Sequence, residues 1–220
     1  MQIVREPRLR PIAIYELHPT QITVGMREVR AKRKSWRDAG HKARFLGKHL
    51  IPVIHGYKDR YYVIDHHHLT RALYEEGVRH IAILVVADLR KLEKEAFWTY
   101  LDNRGWLHPY DARGRRRPYT ELPRRVTELI DDPYRSLAGE LRRAGGFAKD
   151  TASYSEFLWA DFLRRRIKRS RVVDNFTQTL EVALRLAKSE DADYLPGWCG
   201  PVPRETGPVR GARGRPSAAD

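Results

Sequence analysis

The sequence predicts an α/β domain followed by an all-helical region, and three observations carry that prediction. Short apolar, β-branched and aromatic runs alternate with helical patterns over residues 1–90. From Leu89 onward the apolar residues recur at helical spacing. Between these stretches, Tyr61 to Leu73 joins a strand composition directly to a helical one, with four polar residues at the junction.

Taken in order, strands are expected at Ile12-Ala13-Ile14, Leu50 to Ile54, Tyr61 to Ile64 and Ile81 to Val86. One helix is expected from about Thr23 to Lys34 and another from Phe45 into Leu50. Leu92, Ala96, Phe97 and Tyr100 share one helical face. Asn103 to Pro118 holds Gly105, Pro109, Gly114 and Pro118, too many breakers for a helix. Its Trp106, His108 and Tyr110 either close over a ligand or pack the loop against itself. A helix over Leu122 to Ile130 is followed by the cap Asp131-Asp132-Pro133, and a second helix runs to Ala144, where Gly145-Gly146 stops it. Ser153 to Arg169 reads as an amphipathic helix with Tyr154, Phe157, Leu158, Phe162 and Leu163 inward. Its Glu156 and Asp161 are either catalytic carboxylates or partners of the adjacent arginines. Val172 to Leu186 gives a last helix, and residues 203–220 read as a disordered basic tail. The expected division is an α/β domain over 1–110 and a helical domain over 119–195, with no internal repeat.

Composition narrows the function. No run of about 18 apolar residues is present, so no transmembrane helix and no membrane partner are expected. Met1 to Pro7 lacks an apolar signal core, and the lone Cys199 leaves no internal disulfide, both of which fit the cytoplasm. The formal net charge of +14 over 220 residues attracts polyanions, either nucleic acid or a nucleotide. The cations cluster at Arg30–Lys34, Arg113–Arg117 and Arg164–Arg171, without a recognisable helix-turn-helix, zinc finger or RNA-binding signature.

The junction Asp65-His66-His67-His68-Leu69-Thr70-Arg71 is the candidate site. Asp65 and the histidines fall where a strand opens a helix, so free backbone N–H groups and the positive end of the helix dipole face outward there. Three readings stay open. The histidines could hold a transition metal, although neighbours on a helix point about 100° apart and chelate one ion poorly. Asp65 could simply cap the helix. Or the turn binds phosphate, with Asp65 helping to hold a bridging magnesium ion while His67 and His68 donate to phosphate oxygens.

Ile51 to His55, the Gly56–Arg60 turn, Tyr61 to Leu73, Glu76-Gly77-Val78 and Ile81 to Val86 together resemble the ParB/sulfiredoxin superfamily, with Leu17 to Gln21 as its first strand-and-loop element. The chain is most similar to a divergent branch labelled ParB-like nucleases, and also to archaeal ADP-dependent free-serine kinases. The resemblance covers roughly residues 10–110 in its catalytic part, and the helical half is similar to the same branch. It implies a ParB/sulfiredoxin-like domain with a small mixed sheet, and a site at the Asp65 turn.

The chain departs from the family pattern at chosen points. His66 stands where the family has glycine, and Leu69 where it has an arginine that would clamp phosphate. Gln21 stands where the serine kinases carry their basic carboxylate, and no cysteine of the sulfiredoxin kind is present in the turn. The resulting expectation is a nucleotide- or phosphate-binding protein catalysing phosphoryl transfer or phosphodiester hydrolysis, with Mg2+ and ATP, ADP or CTP as ligands. Asp65, His67, His68 and the substitute base Glu28 would be catalytic, with Asp65 also the metal ligand. His66, His67, His68, Leu69, Thr70, Arg71, Lys32 and Gln21 would surround the phosphate. The alternative is a non-enzymatic module that associates with DNA through its basic patches.

Overall fold

A computed structural model describes residues 11–152 and 154–201; the expected tail at 203–220 lies outside the described residues. The α/β part is built on a mixed five-stranded sheet. Its strands are β1 (Pro11–Ala13), β2 (Leu17–Pro19), β4 (Ile51–Gly56), β5 (Arg60–Val63) and β6 (His80–Asp88), in the spatial order β1-β6-β4-β5-β2. β4 runs parallel to β6 and antiparallel to β5, and β5 runs parallel to β2.

Alternation along β5 sets the two faces of the sheet. Tyr61 and Val63 join a core with Val24, Val29, Leu69 and Leu73, whereas Tyr62 joins Ile54, Phe97 and Leu101 on the other side. A bulge between Val53 and Ile54, where Val53 pairs with Val85 but Ile54 with Ala87, switches β6 from the first core to the second. The first core is covered by α1 (Met26–Asp38) and α3 (His67–Glu75) and the second by α4 (Lys94–Asn103), while the short α2 (Lys42–Lys48) precedes β4. Gly56 is required where β4 meets α4, since a Cβ there would lie 2.3 Å from Phe97 Cε2.

The helical part comprises α5 (Pro133–Arg143), α6 (Ser155–Arg166), α7 (Arg169–Asp174) and α8 (Phe176–Ala187) around Leu137, Leu141, Trp159, Phe162 and Ala183. Asp132 caps α5 as expected, its carboxylate accepting Tyr134 N–H at 3.0 Å, with Pro133 in the first turn. The junction between the two parts is tight. Strand β3 (Thr23–Val24) pairs in parallel with β7 (Ile130–Asp131). Met26 N–H donates to Asp131 Oδ1 at 3.0 Å and Arg27 N–H to Ser136 Oγ at 3.2 Å, so the second part satisfies the opening N–H groups of α1. A Cβ on Gly25 would sit 2.8 Å from Ser136 N.

Several boundaries differ from the sequence expectation. Leu122 to Ile130 is not a helix but the 3-10 turn Val126–Glu128 leading into β7, because Val126 and Leu129 are drawn into the sheet's core. Thr23 and Val24 are strand, and α1 starts only after Gly25. The chain breaks at Ile167-Lys168 between α6 and α7, and at Asn175 between α7 and α8, where single helices were expected. Leu158 is 47 % exposed while Trp159 is fully buried, and Tyr100 faces outward with Leu101 in the core instead. Among the described residues no helix is long and apolar enough to cross a membrane.

Candidate active site

The β5–α3 turn has a backbone that ordinarily favours glycine. His66 is the N-cap of α3 in the left-handed region, φ 61° and ψ 26°, and it holds that conformation as a histidine. Local bonds support it. Its N–H donates to Asp65 Oδ1 at 2.6 Å, its Nδ1 donates to Leu50 O at 3.2 Å, and its carbonyl accepts the Thr70 hydroxyl at 3.0 Å. α3 then begins at His67, leaving the N–H groups of its first residues without intrahelical acceptors beside the exposed Asp65.

The three histidines have three different fates. His67 is buried, and its Nε2 accepts Thr20 N–H at 3.2 Å while the ring also bonds to the Val63 backbone. Burial, together with the neighbouring His68 and Arg135, lowers its pKa to about 3, so it is neutral and tied into the fold on both sides. The expected donation from His67 to a phosphate would break those bonds; its place is that of a brace between β2's loop and α3. His68 accepts Gly25 N–H through Nε2 at 3.0 Å, which puts its proton on Nδ1, 3.9 Å from Glu28 Oε2. Burial and the charges of Arg135 and Lys32 hold it well below the usual imidazole range. His66 remains exposed at the cavity edge.

Four other expected ligands are committed to the fold. Arg71 donates from Nη1 to the carbonyls of Val126, Thr127 and Leu129 and from Nε to Glu75 at 2.6 Å, so it clamps the 3-10 turn instead of a phosphate. Thr70 is fully buried with its hydroxyl on His66 O, and the Leu69 side chain is in the core, although its residue borders the cavity. Gln21 is buried and donates from Nε2 to Thr23 O at 2.9 Å. Arg71 is committed because α3 packs against the 3-10 turn Val126–Glu128 that leads into β7.

Glu28 and Lys32 do reach the turn. Both line a cavity of about 770 Å³ together with Asp65, His66, His68 and, from the helical part, Arg135, Arg142 and Glu156. Glu156 pairs with Arg142 at 3.0 Å, and Asp161 with Arg164 and Arg165 at 3.1 and 2.9 Å, which settles both carboxylates as ion-paired. Arg135 is the residue that sequence reasoning missed. It is 5 % exposed, its guanidinium carbon lies 3.3 Å from the centre of the Phe157 ring, and its Nε and Nη1 have no hydrogen-bond partner. Burial lowers its pKa to about 10, against the pull of Glu156, Asp132 and Glu28. One signal was available: Arg135 is the sole charged side chain from Pro133 to Gly139, all seven of which are buried.

The histidines do not form a metal centre: among the described residues no group of three or more His, Cys, Asp and Glu is placed to hold an ion. A magnesium ion bound mainly by ligand phosphates needs only one or two carboxylates from the protein, and Asp65 fits that smaller demand. The basic clusters are partly neutralised, with Arg33 on Glu75 and Glu76, Arg117 on Asp111 and Arg164 on Asp132.

A family model described as "Putative ParB-like nuclease" matches residues 10–165, spanning the sheet, the turn, α5 and most of α6. The crystal structure of protein Atu1540 from Agrobacterium tumefaciens is similar, with a TM-score of 0.84 and 54% sequence identity over 89% of this chain and 99% of that one. No curated protein matches the chain.

Proposed function

The chain belongs to the ParB-like nuclease family, and we propose that it binds a phosphate-bearing ligand between the N-terminus of α3 and Arg135 and carries out phosphoryl transfer or phosphodiester hydrolysis there. The observation that supports this reading most is Arg135: a buried guanidinium with two unpartnered N–H groups in the wall of the cavity that the Asp65 turn opens into. An unpaired buried charge costs several kcal/mol, about as much as a phosphate oxyanion bound to it would return. It supplies from α5 the planar cation that the family places after its last histidine and that Leu69 does not provide.

Within this reading each residue has a distinct task. The orphan N–H groups of α3 and the guanidinium hold the phosphate from opposite sides, and Lys32 adds charge. Glu28 takes the proton from the attacking hydroxyl or water as its oxygen bonds to phosphorus and the bond to the leaving group breaks. His68 Nδ1 faces the Glu28 carboxylate from 3.9 Å. Magnesium bound to the ligand phosphates and Asp65 would neutralise charge.

Titration with inorganic phosphate, and with ATP, ADP and CTP with and without Mg2+, tests the reading, beside an assay on phosphodiester substrates. Arg135→Gln should weaken phosphate binding at least tenfold. A folded Arg135→Gln protein that binds phosphate like the parent would remove the main support, and a parent that binds none of these ligands would end the proposal.

A further inference from the structure

Buried side-chain nitrogen and oxygen atoms without a partner are costly and sparse in folded proteins. Among the described residues they are His108 Nδ1, Arg135 Nε and Nη1, Ser155 Oγ and Arg164 Nε. Every one belongs to a residue lining either the cavity above or a second one of about 430 Å³ that adjoins it. Arg135, Tyr154 and Phe157 line both, so the two spaces share one wall. That wall is a stack: the Phe157 ring carries the Arg135 guanidinium at 3.3 Å and the His108 ring at 3.7 Å. Tyr154 stands edge-on to Phe157 and holds φ 61°, a strained setting for an aromatic residue.

The second cavity has its own chemistry. Its carboxylates are each answered within the protein: Asp102 by Arg116, Asp111 by Arg117, Asp132 by Arg164, Asp161 by Arg164 and Arg165. Burial lowers the His108 pKa to about 3, so that ring is neutral. Apart from Arg135, which it shares with the first cavity, the wall therefore offers no uncompensated charge for a second phosphate. It offers apolar surface from Leu107, Leu158 and Tyr110, and unmet hydrogen-bonding capacity at His108 Nδ1 and Arg164 Nε. An apolar pocket with a few convergent polar groups suits an uncharged ligand group with polar edges.

We propose that the second cavity is a subsite for an uncharged planar ring with acceptor atoms on its edge, carried by the ligand whose phosphate sits in the first cavity. The ligand would then straddle Arg135. This inference rests on the phosphate reading above and adds to it the organic half of the ligand.

Ribose 5-phosphate, uridine 5′-monophosphate and adenosine 5′-monophosphate separate the two claims, because they share the phosphate and the sugar and differ in the ring. The parent should bind at least one of the nucleotides tenfold or more tightly than ribose 5-phosphate. Leu158 is 47 % exposed, so Leu158→Trp can fill the second cavity from the surface of α6 without a core change. In that variant the advantage should fall below threefold with ribose 5-phosphate affinity unchanged; Leu158→Arg provides a second blocking variant. If ribose 5-phosphate binds as tightly as both nucleotides, or if the advantage survives in both Leu158 variants, the subsite is wrong and the phosphate reading stands. If none of the three binds, both fall together.

Discussion

His68 Nδ1 lies 3.9 Å from Glu28 Oε2, while its Nε2 is fixed by Gly25 N–H at 3.0 Å. The contact joins the first turn of α3 to the first turn of α1, two segments 40 residues apart in sequence. It also leaves the carboxylate facing the cavity, at 19 % side-chain exposure, with Arg135 and Arg143 close enough to feel its charge. A carboxylate so placed is a candidate proton acceptor.

Glu28→Gln keeps the shape and removes the proton acceptor. Turnover of a phosphate substrate should drop by about 100-fold or more, the typical contribution of a positioned base, with ligand affinity changed less than threefold. His68→Ala should lower turnover less, because it adjoins Glu28 and does not touch the substrate. Equal turnover for parent and Glu28→Gln in a steady-state assay would exclude Glu28 as the base.

Arg135→Met tests whether the unpaired charge is kept for a ligand. Burial moves the Arg135 pKa from 12.5 to about 10, which makes the charged form roughly 3 kcal/mol costlier in the folded protein than in the unfolded one. Methionine removes that cost but also the stacking on Phe157, so a net gain of about 1–2 kcal/mol is expected in urea denaturation without ligand. Phosphate affinity should fall in the same protein. A variant that is destabilised instead would show Arg135 to be structural.

The Arg164–Arg171 cluster reads in sequence as one basic face, yet the structure divides it. Arg164 Nη2 meets the buried Asp132 Oδ2 at 2.5 Å, while Lys168 and Arg169 are exposed. Arg164→Ala should therefore cost about 3–5 kcal/mol of stability, the usual penalty for leaving a buried charge unpaired. If duplex DNA is a partner, the double variant Lys168→Gln, Arg169→Gln should reduce the slope of log affinity against log salt by about 2, measured by fluorescence anisotropy. An unchanged slope would exclude this cluster as the contact.

What was legible in the sequence is what local pattern encodes. The strand-to-helix switch at Ile64–Leu69 carries its own period change, and Asp132-Pro133 marks a helix start whatever surrounds it. Leu122 to Ile130 was misread because Val126 and Leu129 have a helical spacing that the sheet's core, closing around them, overrides. At the site, the anionic and imidazole half lies in one short segment and could be read directly. The cationic half is Arg135, 70 residues beyond Asp65, and no local spacing reports that α5 comes to face α3. His67, His68 and Arg71 show the converse: three polar residues of functional appearance in one short segment, each of which bonds backbone groups of distant segments. The small residues Gly25 and Ser136 permit that approach, and their role is visible only once the chain is folded.

The buried histidines make stability depend on mild acid. Burial lowers the pKa of His67 and of His108 to about 3 and holds His68 well below its ordinary value, so all three are neutral in the folded protein. In the unfolded chain each titrates near the ordinary imidazole value of 6.5. Between those limits the unfolded state binds more protons, so the histidine contribution is fully present above pH 6.5 and is lost as pH falls toward the folded-state values. Each histidine then contributes a slope of up to about 1.4 kcal/mol per pH unit. The lowered carboxylates Glu76 and Asp111 act in the same direction but begin to matter only near and below pH 4.5, and the buried Asp132, raised above its ordinary value, acts in the opposite direction, so the interval from 6.5 to 4.5 is dominated by the imidazoles. Urea denaturation across that interval should show a steady loss of roughly 2–3 kcal/mol per histidine. His67→Gln, which cannot take up a proton, should be less stable at pH 7 because it loses the brace between Thr20 and Val63, yet its slope should be shallower by about one proton. Constant stability from pH 6.5 to 4.5, or a His67→Gln slope equal to the parent's, would mean that these rings are not held neutral in the fold.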